Sequence, residues 1–252
     1  MVNSVTTSKN FDKVIVILGP TGSGKTGVGI ELAQRIGGEI ISADSRTIYK
    51  GMDIGTAKPS LEEQAGVLHF GFDLVEPGER FTVADWKEYA VSKIAEIQGR
   101  GKVPIIVGGT GLYIDALVYN YHFGVKEAVD RKKLCTNYLL IGVKWSTEEL
   151  RERLWLRVDK MFTQKLYDET RKLVEQYGWG SQAMKSNIYE YAWQYLNNGM
   201  SLEEAKLKSF YKDYHLAKRQ LTWFKRTPEI KWLELEKIYP FVLEYIQNEQ
   251  RK

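Results

Sequence analysis

The sequence predicts an α/β protein: a parallel β-sheet flanked by helices, with a helical C-terminal half. Three observations carry that prediction. Short β-branched runs at Val14–Leu18, 39–43, 103–107 and Tyr138–Val143 alternate with stretches of helical periodicity, the pattern of parallel strands covered on both faces. The first run leads directly into a glycine-rich turn and then a helix. Beyond residue 143 the strand signals fade and capping signals for long helices take over.

Taken in order, Val14–Leu18 is followed by Gly19-Pro20-Thr21-Gly22-Ser23-Gly24-Lys25-Thr26. Val28, Ile30, Leu32, Ala33 and Ile36 then recur at helical spacing until Gly37 and Gly38 stop them. Residues 39–43 read as a second strand ending at Asp44-Ser45-Arg46. A helix over 83–98 precedes the buried run 103–107, which closes at Gly108-Gly109-Thr110-Gly111. Residues 119–135 have little regular pattern, and Tyr138–Val143 is one more strand. Ser146 and Glu149 hold the two positions of a capping box, opening a helix expected to reach about Tyr177. Ser201 and Glu204 repeat the signal before a long helix ending near Arg226. Past Pro228 come a short apolar piece and a last helix. The expected organisation is a first part of the core at 12–118, a short linker at 119–137, and 138–252 completing the core and carrying basic helices.

The chain has 252 residues, 43% hydrophobic and 27% charged, which excludes disordered, collagen-like and coiled-coil classes. Its polar start lacks the apolar stretch of a secretory signal, and no apolar run approaches the roughly 20 residues that cross a bilayer. The single cysteine, Cys135, cannot form an internal disulfide, and His69, His122 and His215 stand too far apart to suggest a metal site. A cytoplasmic protein without a membrane role is expected. The net charge of +4 hides an asymmetry: residues 1–124 hold 12 basic and 14 acidic residues, residues 125–252 hold 24 and 18. A basic second half suggests a polyanionic partner.

Residues 19–26 match G-x-x-x-x-G-K-[ST] in full, between a strand and a helix, so the sheet is expected to be P-loop NTPase-like. In such a loop Gly19, Gly22 and Gly24, with Pro20, Thr21 and Ser23 between them, curl backbone N–H groups around phosphate oxygens at a helix N-terminus. Lys25 adds a point charge, and Thr26 a hydroxyl suited to Mg²⁺. The loop selects a diphosphate or triphosphate without specifying what carries it. Asp44 lies past the second strand, on the edge where open α/β sheets bind ligands. Its carboxylate could hold Mg²⁺ through water, take a proton from a nucleophile, or cap the turn over Ser45. Thr110 ends another strand on that edge, where its hydroxyl could reach a phosphate or a base, or belong to the turn. A Gly-Gly-Thr sequence there, in place of an acidic residue, disfavours a motor-type ATPase.

Arg153 and Arg157 share a helix face with Lys160 beside them, a pattern that suits clamping a leaving phosphate or simply facing solvent. Residues 206–226 hold seven cations (Lys206, Lys208, Lys212, Lys218, Arg219, Lys225, Arg226) against one acid, Asp213. Phe210, Tyr211, Tyr214, Trp223 and Phe224 are interleaved with them. Phosphate contacts and base stacking would use such a segment, although its aromatics serve a core equally well.

In order and spacing, these residues resemble the tRNA dimethylallyltransferases, also called tRNA isopentenyltransferases. The likeness rests on the motif at 19–26, Ile-Ile-Ser-Ala-Asp-Ser-Arg at 40–46 and Ile-Tyr-Lys-Gly-Met-Asp-Ile-Gly-Thr-Ala-Lys-Pro at 48–59. It continues through Val-Gly-Gly-Thr-Gly-Leu-Tyr at 107–113, the arginine-bearing stretch 150–162, and Ala-Lys-Arg-Gln-Leu-Thr-Trp-Phe-Lys-Arg at 217–226. The resemblance implies transfer of a dimethylallyl group from dimethylallyl diphosphate to the exocyclic amine of an adenosine beside the anticodon of tRNA. It implies that the loop holds the diphosphate, with Lys25 and Arg157 on the leaving group and Mg²⁺ on Thr26. Asp44 takes the position of the general base and Thr110 that of a substrate-contacting threonine. Asp44, Ser45, Arg46 and Thr47 fall on a tRNA-contacting segment, joined by Lys218 and Arg219, and a monomer is expected. Prenylation of free adenine nucleotides and a P-loop small-molecule kinase using ATP are the alternatives.

Three departures from the family stand out. Only about 119–137 spans the place of a helical insertion that helps grip the anticodon stem. Ile188, in Ser186-Asn187-Ile188-Tyr189, replaces a glycine whose backbone freedom a β-branched residue lacks. Tyr214 stands where an arginine is common.

Overall fold

The computed structural model describes residues 12–123, 134–181, 183–185 and 187–251. The polar start, most of the linker expected at 119–137, and Ser186 therefore lie outside the described residues. Six strands form one all-parallel sheet: β1 (Val14–Leu18), β2 (Gly38–Ala43), β3 (His69–Phe70), β4 (Val103–Gly108), β5 (Tyr138–Val143) and β6 (Lys231–Leu233). Their order is β3-β2-β4-β1-β5-β6. The helices are α1 (Lys25–Ile36), α2 (Val83–Gly99), α3 (Gly111–Val118), α4 (Thr147–Met161), α5 (Gln164–Tyr177), α6 (Asn187–Leu196), α7 (Leu202–Phe224) and α8 (Leu235–Glu249).

The central strands are buried on both faces, and their alternate residues sort into two cores. Val14, Val16, Leu18, Ile41 and Ile106 pack with α2 and α3, while Ile15, Ile17, Ile40, Ile105 and Val107 pack with α1 and α8. A third core joins α4 to α7 around Leu154, Val158, Met184 and Tyr189. Register positions the functional edge: Leu18 and Ala43 both pair with Gly108, so β1, β2 and β4 end level. Beyond β1 the chain leads through α1 to β2, and beyond β4 it leads through α3 to β5, on opposite sides of β1. The β1/β4 boundary is thus the topological switch point, where the crevice of an open α/β sheet forms.

Both capping boxes form as expected, at Ser146 with Glu149 and at Ser201 with Glu204. The helix expected from Ser146 to Tyr177 is two helices: Phe162 and Thr163 leave the helical region, and Thr163 N–H donates to Met161 O at 2.8 Å. Helices α3 and α6 and the two-residue β3 had no sequence expectation. Ile188 lies within α6, buried, and is not among the positive-φ residues, so the missing glycine costs no backbone strain there.

Trp86 is fully buried under the sheet, its ring stacked 4.6 Å from Tyr113 and its Nε1–H donating to Ser42 O at 2.9 Å. Trp86→Ala is expected to lower stability by about 3–5 kcal/mol. Urea unfolding should show this as a reduced midpoint with an unchanged m-value.

Candidate active site

The loop between β1 and α1 has the form of an anion cradle. Gly22 and Gly24 have φ of 76° and 81°, in the left-handed region that glycine enters at least cost. A Cβ on Gly22 would also lie 2.8 Å from Leu154 Cδ2, so α4 closes the back of the loop. Ser23 N–H donates to Pro20 O at 3.2 Å, and Lys25 Nζ donates to the same carbonyl at 3.2 Å. The N–H groups of Gly22, Gly24, Lys25 and Thr26 have no backbone acceptor among the described residues, and Ser23 Oγ is buried without a partner. Open amides at a helix N-terminus, a cation and an orphaned hydroxyl are together suited to an anion. Lys25 shows part of its surface to the cavity, yet the protein around it desolvates the ammonium and lowers its pKa to about 8. Nearby Asp44 opposes that shift and Arg157 adds to it.

Helix α4 supports the cradle from the side. Trp145 Nε1–H donates to Ser23 O at 2.9 Å, and Arg153 Nε–H donates to Gly22 O at 3.0 Å. The Arg153 guanidinium lies 4.3 Å from the centre of the Trp145 ring. Arg153 thus braces the loop through a carbonyl as well as lining the cavity.

Asp44 and Thr110 meet at the ends of β2 and β4. Thr110 N–H donates to Ala43 O, and Ser45 N–H donates to Thr110 Oγ1 at 3.0 Å. Arg46 N–H donates to Asp44 Oδ1 at 2.9 Å, so this carboxylate does cap its turn. The turn orients it, because Asp44 lines both cavities that open on this edge. The first cavity, 740 Å³, runs from Thr21, Lys25 and Thr26 to apolar walls at Ile30, Ile40, Phe72 and Val107. The second, 410 Å³, is walled by Ser45, Arg46, Gly109, Thr110 and residues of α7. Thr21, Asp44, Thr56 and Arg157 belong to both. Arg157 at this junction donates from Nη1 to the largely buried Asp213 carboxylate at 2.5 Å.

The segment 48–59 is fixed by a residue that carried no sequence expectation. Glu169, on α5, accepts from the N–H groups of Asp53 (3.1 Å), Ile54 (2.9 Å) and Gly55 (3.0 Å), and from the Tyr189 hydroxyl at 2.5 Å. Burial and the adjacent Glu169 carboxylate push the Tyr189 phenol well above its ordinary pKa. Gly55 has no alternative, since a Cβ there would lie 2.2 Å from the Tyr189 ring. This clamp holds Gly55 and Thr56 in the cavity wall.

The remaining expected residues divide. Arg219 lines the second cavity, whereas Lys218 is exposed with its ammonium 4.5 Å above the Tyr214 ring. Tyr214 itself stacks on buried Phe210. Thr47 is buried, its hydroxyl 3.0 Å from that of Ser42, in the wall of the first cavity only. His69 lines the first cavity as well, and burial lowers its imidazole pKa.

Burying Lys25 has a cost of definite sign. Below about pH 8 the folded protein holds a desolvated ammonium. Between about pH 8 and the ordinary lysine value the unfolded chain binds more protons than the folded one, so stability rises with pH and the penalty fades. Lys25→Met is therefore expected to be more stable than the natural protein at pH 7, with the gap closing from pH 8 to 10. Paired urea midpoints across that range check it.

A sequence profile described as IPP transferase matches residues 47–137 and 124–227, and one described as Isopentenyl transferase matches residues 12–70. The tRNA dimethylallyltransferase of Acetivibrio thermocellus is 37% identical over 289 aligned residues, covering 88% of this chain and 92% of that protein. That alignment is longer than the whole 252-residue chain, so the relative carries residues with no counterpart here. The two stretches matched by the first profile meet over 124–137. The crystal structure of the tRNA isopentenylpyrophosphate transferase of Bacillus halodurans superposes with a TM-score of 0.83 at 30% identity, covering 95% of this chain and 98% of that one. That of Staphylococcus epidermidis gives 0.80 at 34% identity, covering 94% and 98%. With a shared fold and a related sequence along nearly its whole length, the chain belongs to the tRNA dimethylallyltransferase family.

Proposed function

We propose that the protein transfers a dimethylallyl group from dimethylallyl diphosphate to the exocyclic amine of an adenosine next to the anticodon of tRNA, releasing diphosphate. The observation that carries this reading is the junction of the two cavities at Thr21, Asp44, Thr56 and Arg157. A donor with its diphosphate on the cradle and its tail along the apolar wall fills the first cavity. An adenine extruded from its stack enters the second. The amine attacks the carbon bearing the diphosphate, the carbon–oxygen bond breaks, and the proton passes to Asp44. The amine's lone pair is delocalised into the ring, so a carboxylate accepting its proton lowers the barrier. The cradle amides, Lys25 and Arg157 stabilise the charge growing on the leaving group, and Thr110 holds the acceptor side of the junction through Ser45.

Mg²⁺ suits the cradle, because a hard cation needs only the Thr26 hydroxyl, diphosphate oxygens and water. Among the described residues no cluster of three or more His, Cys, Asp or Glu forms a separate metal site. Bound there, the ion would add neutralisation of the diphosphate charge. All groups named come from one chain, which we read as a monomer acting in the cytoplasm. Among the described residues no helix is long and apolar enough to cross a membrane.

The test is to incubate the protein with dimethylallyl diphosphate, Mg²⁺ and either unmodified tRNA or AMP, then weigh the nucleosides. Prenylated adenosine from tRNA supports the reading. Product from AMP alone would make free nucleotides the acceptor, and phosphate transfer from ATP without prenylation would make it a kinase. Asp44→Ala is expected to lower the rate by about 10²–10⁴-fold while inorganic diphosphate still binds. Arg219→Ala is expected to weaken tRNA binding and reduce the slope of log affinity against log salt by about 1, measured by titration at several salt concentrations.

A further inference from the structure

Helix α7 reaches the loop after β1 through the Gln220 side chain. Gln220 Oε1 accepts the Thr21 N–H at 2.8 Å, and Gln220 Nε2 donates to Gly109 O at 2.9 Å. One amide therefore joins the loop after β1 to the loop after β4. Neither partner is interchangeable, because both are backbone groups, one able only to donate and the other only to accept. The approach is close: a Cβ on Gly109 would lie 2.6 Å from Gln220 Nε2. One turn further along α7, the Trp223 ring covers Gly111, where a Cβ would lie 2.3 Å away, and Trp223 Nε1–H donates to Asp115 Oδ2 at 3.0 Å. Thr21, Gly109, Arg219, Gln220 and Trp223 all line the second cavity, and Thr21 lines the first as well. The Thr21 N–H is committed to Gln220 on α7 and so is not among the open amides of the loop.

We infer that Gln220 is a positioning residue for the transfer proposed above, on which this inference rests: it registers the α7 wall of the acceptor cavity against Thr21 and Gly109 and so sets how the adenosine meets the donor. It touches neither reacting atom. Its effect belongs on the chemical step, since a misplacement of about 1 Å costs on the order of 10²-fold in rate.

The test uses Gln220→Leu and Gln220→Glu in the full chain, with tRNA as acceptor. Gln220→Leu is expected to lower kcat by on the order of 10²-fold, leaving KM for dimethylallyl diphosphate and the affinity for inorganic diphosphate near their natural values. A protonated glutamic acid reproduces the amide, its O–H donating to Gly109 O and its carbonyl accepting from Thr21, whereas the ionised form cannot donate. The ratio of Gln220→Glu to natural kcat is therefore expected to rise as pH falls. Asp44, Arg46, Arg157, Asp213 and Arg219 around the cavity, and Lys25 in the cradle, are present in both proteins, so the ratio isolates position 220. Natural kcat in Gln220→Leu, a ratio flat in pH, or loss of diphosphate binding in both variants would overturn the positioning role. A natural protein that prenylates no acceptor would instead overturn the transfer reading, and this inference with it.

Discussion

Three strands ending level make the site possible. With Leu18 and Ala43 both in register with Gly108, the loops after β1, β2 and β4 emerge on one line. A one-residue slip of any of them would move its alternate side chains to the wrong core and carry its loop away from the others. Residues far apart in sequence are thereby brought into contact: Ser45 donates to Thr110, Thr110 donates to Ala43, and Gln220 spans Thr21 and Gly109. The cavities meet at this line because the connections from β1 and β4 diverge there.

Much of the site works against stability. An orphaned Ser23 hydroxyl and a desolvated Lys25 both disfavour the folded chain on its own. The surroundings over-determine their placement. Arg153 and Trp145 grip the loop by its carbonyls, leaving its amides for an anion. Glu169 draws three backbone N–H groups and a phenol onto one carboxylate to hold the opposite wall. Asp213 balances Arg157 where the cavities join, so that guanidinium arrives at the junction already oriented.

What could be read in advance followed the kind of signal each residue leaves. β1 and β5 were legible to the residue, because a buried β-branched run bounded by polar or glycine positions has few other fates. The capping boxes marked the starts of α4 and α7, since their chemistry is local. α3 was invisible because residues 113–118 are all buried, leaving no polar face to set a period. The break after Met161 was missed because apolar spacing continues through it and only the backbone turns. At the site, the cradle, Asp44, Thr110 and the arginines were legible as motif and resemblance. Glu169 was not, since its partners are backbone amides more than a hundred residues away. Asp213 could be noticed only as a lone acid in a basic run, with nothing to tie it to Arg157. Ile188 stands where the family has a glycine, and its place in the first turn of α6, walling the second cavity, needs none of a glycine's backbone freedom.

The central claim is spatial: donor and acceptor occupy separate cavities and touch at Asp44. A crystal structure with a thiolo analogue of dimethylallyl diphosphate and an adenosine-containing anticodon loop tests it most directly. The diphosphate on the amides of Gly22, Gly24, Lys25 and Thr26, with the adenine amine within hydrogen-bonding distance of the Asp44 carboxylate, is the predicted result. A nucleoside bound in the first cavity, or an adenine that leaves Asp44 without contact, would contradict the account.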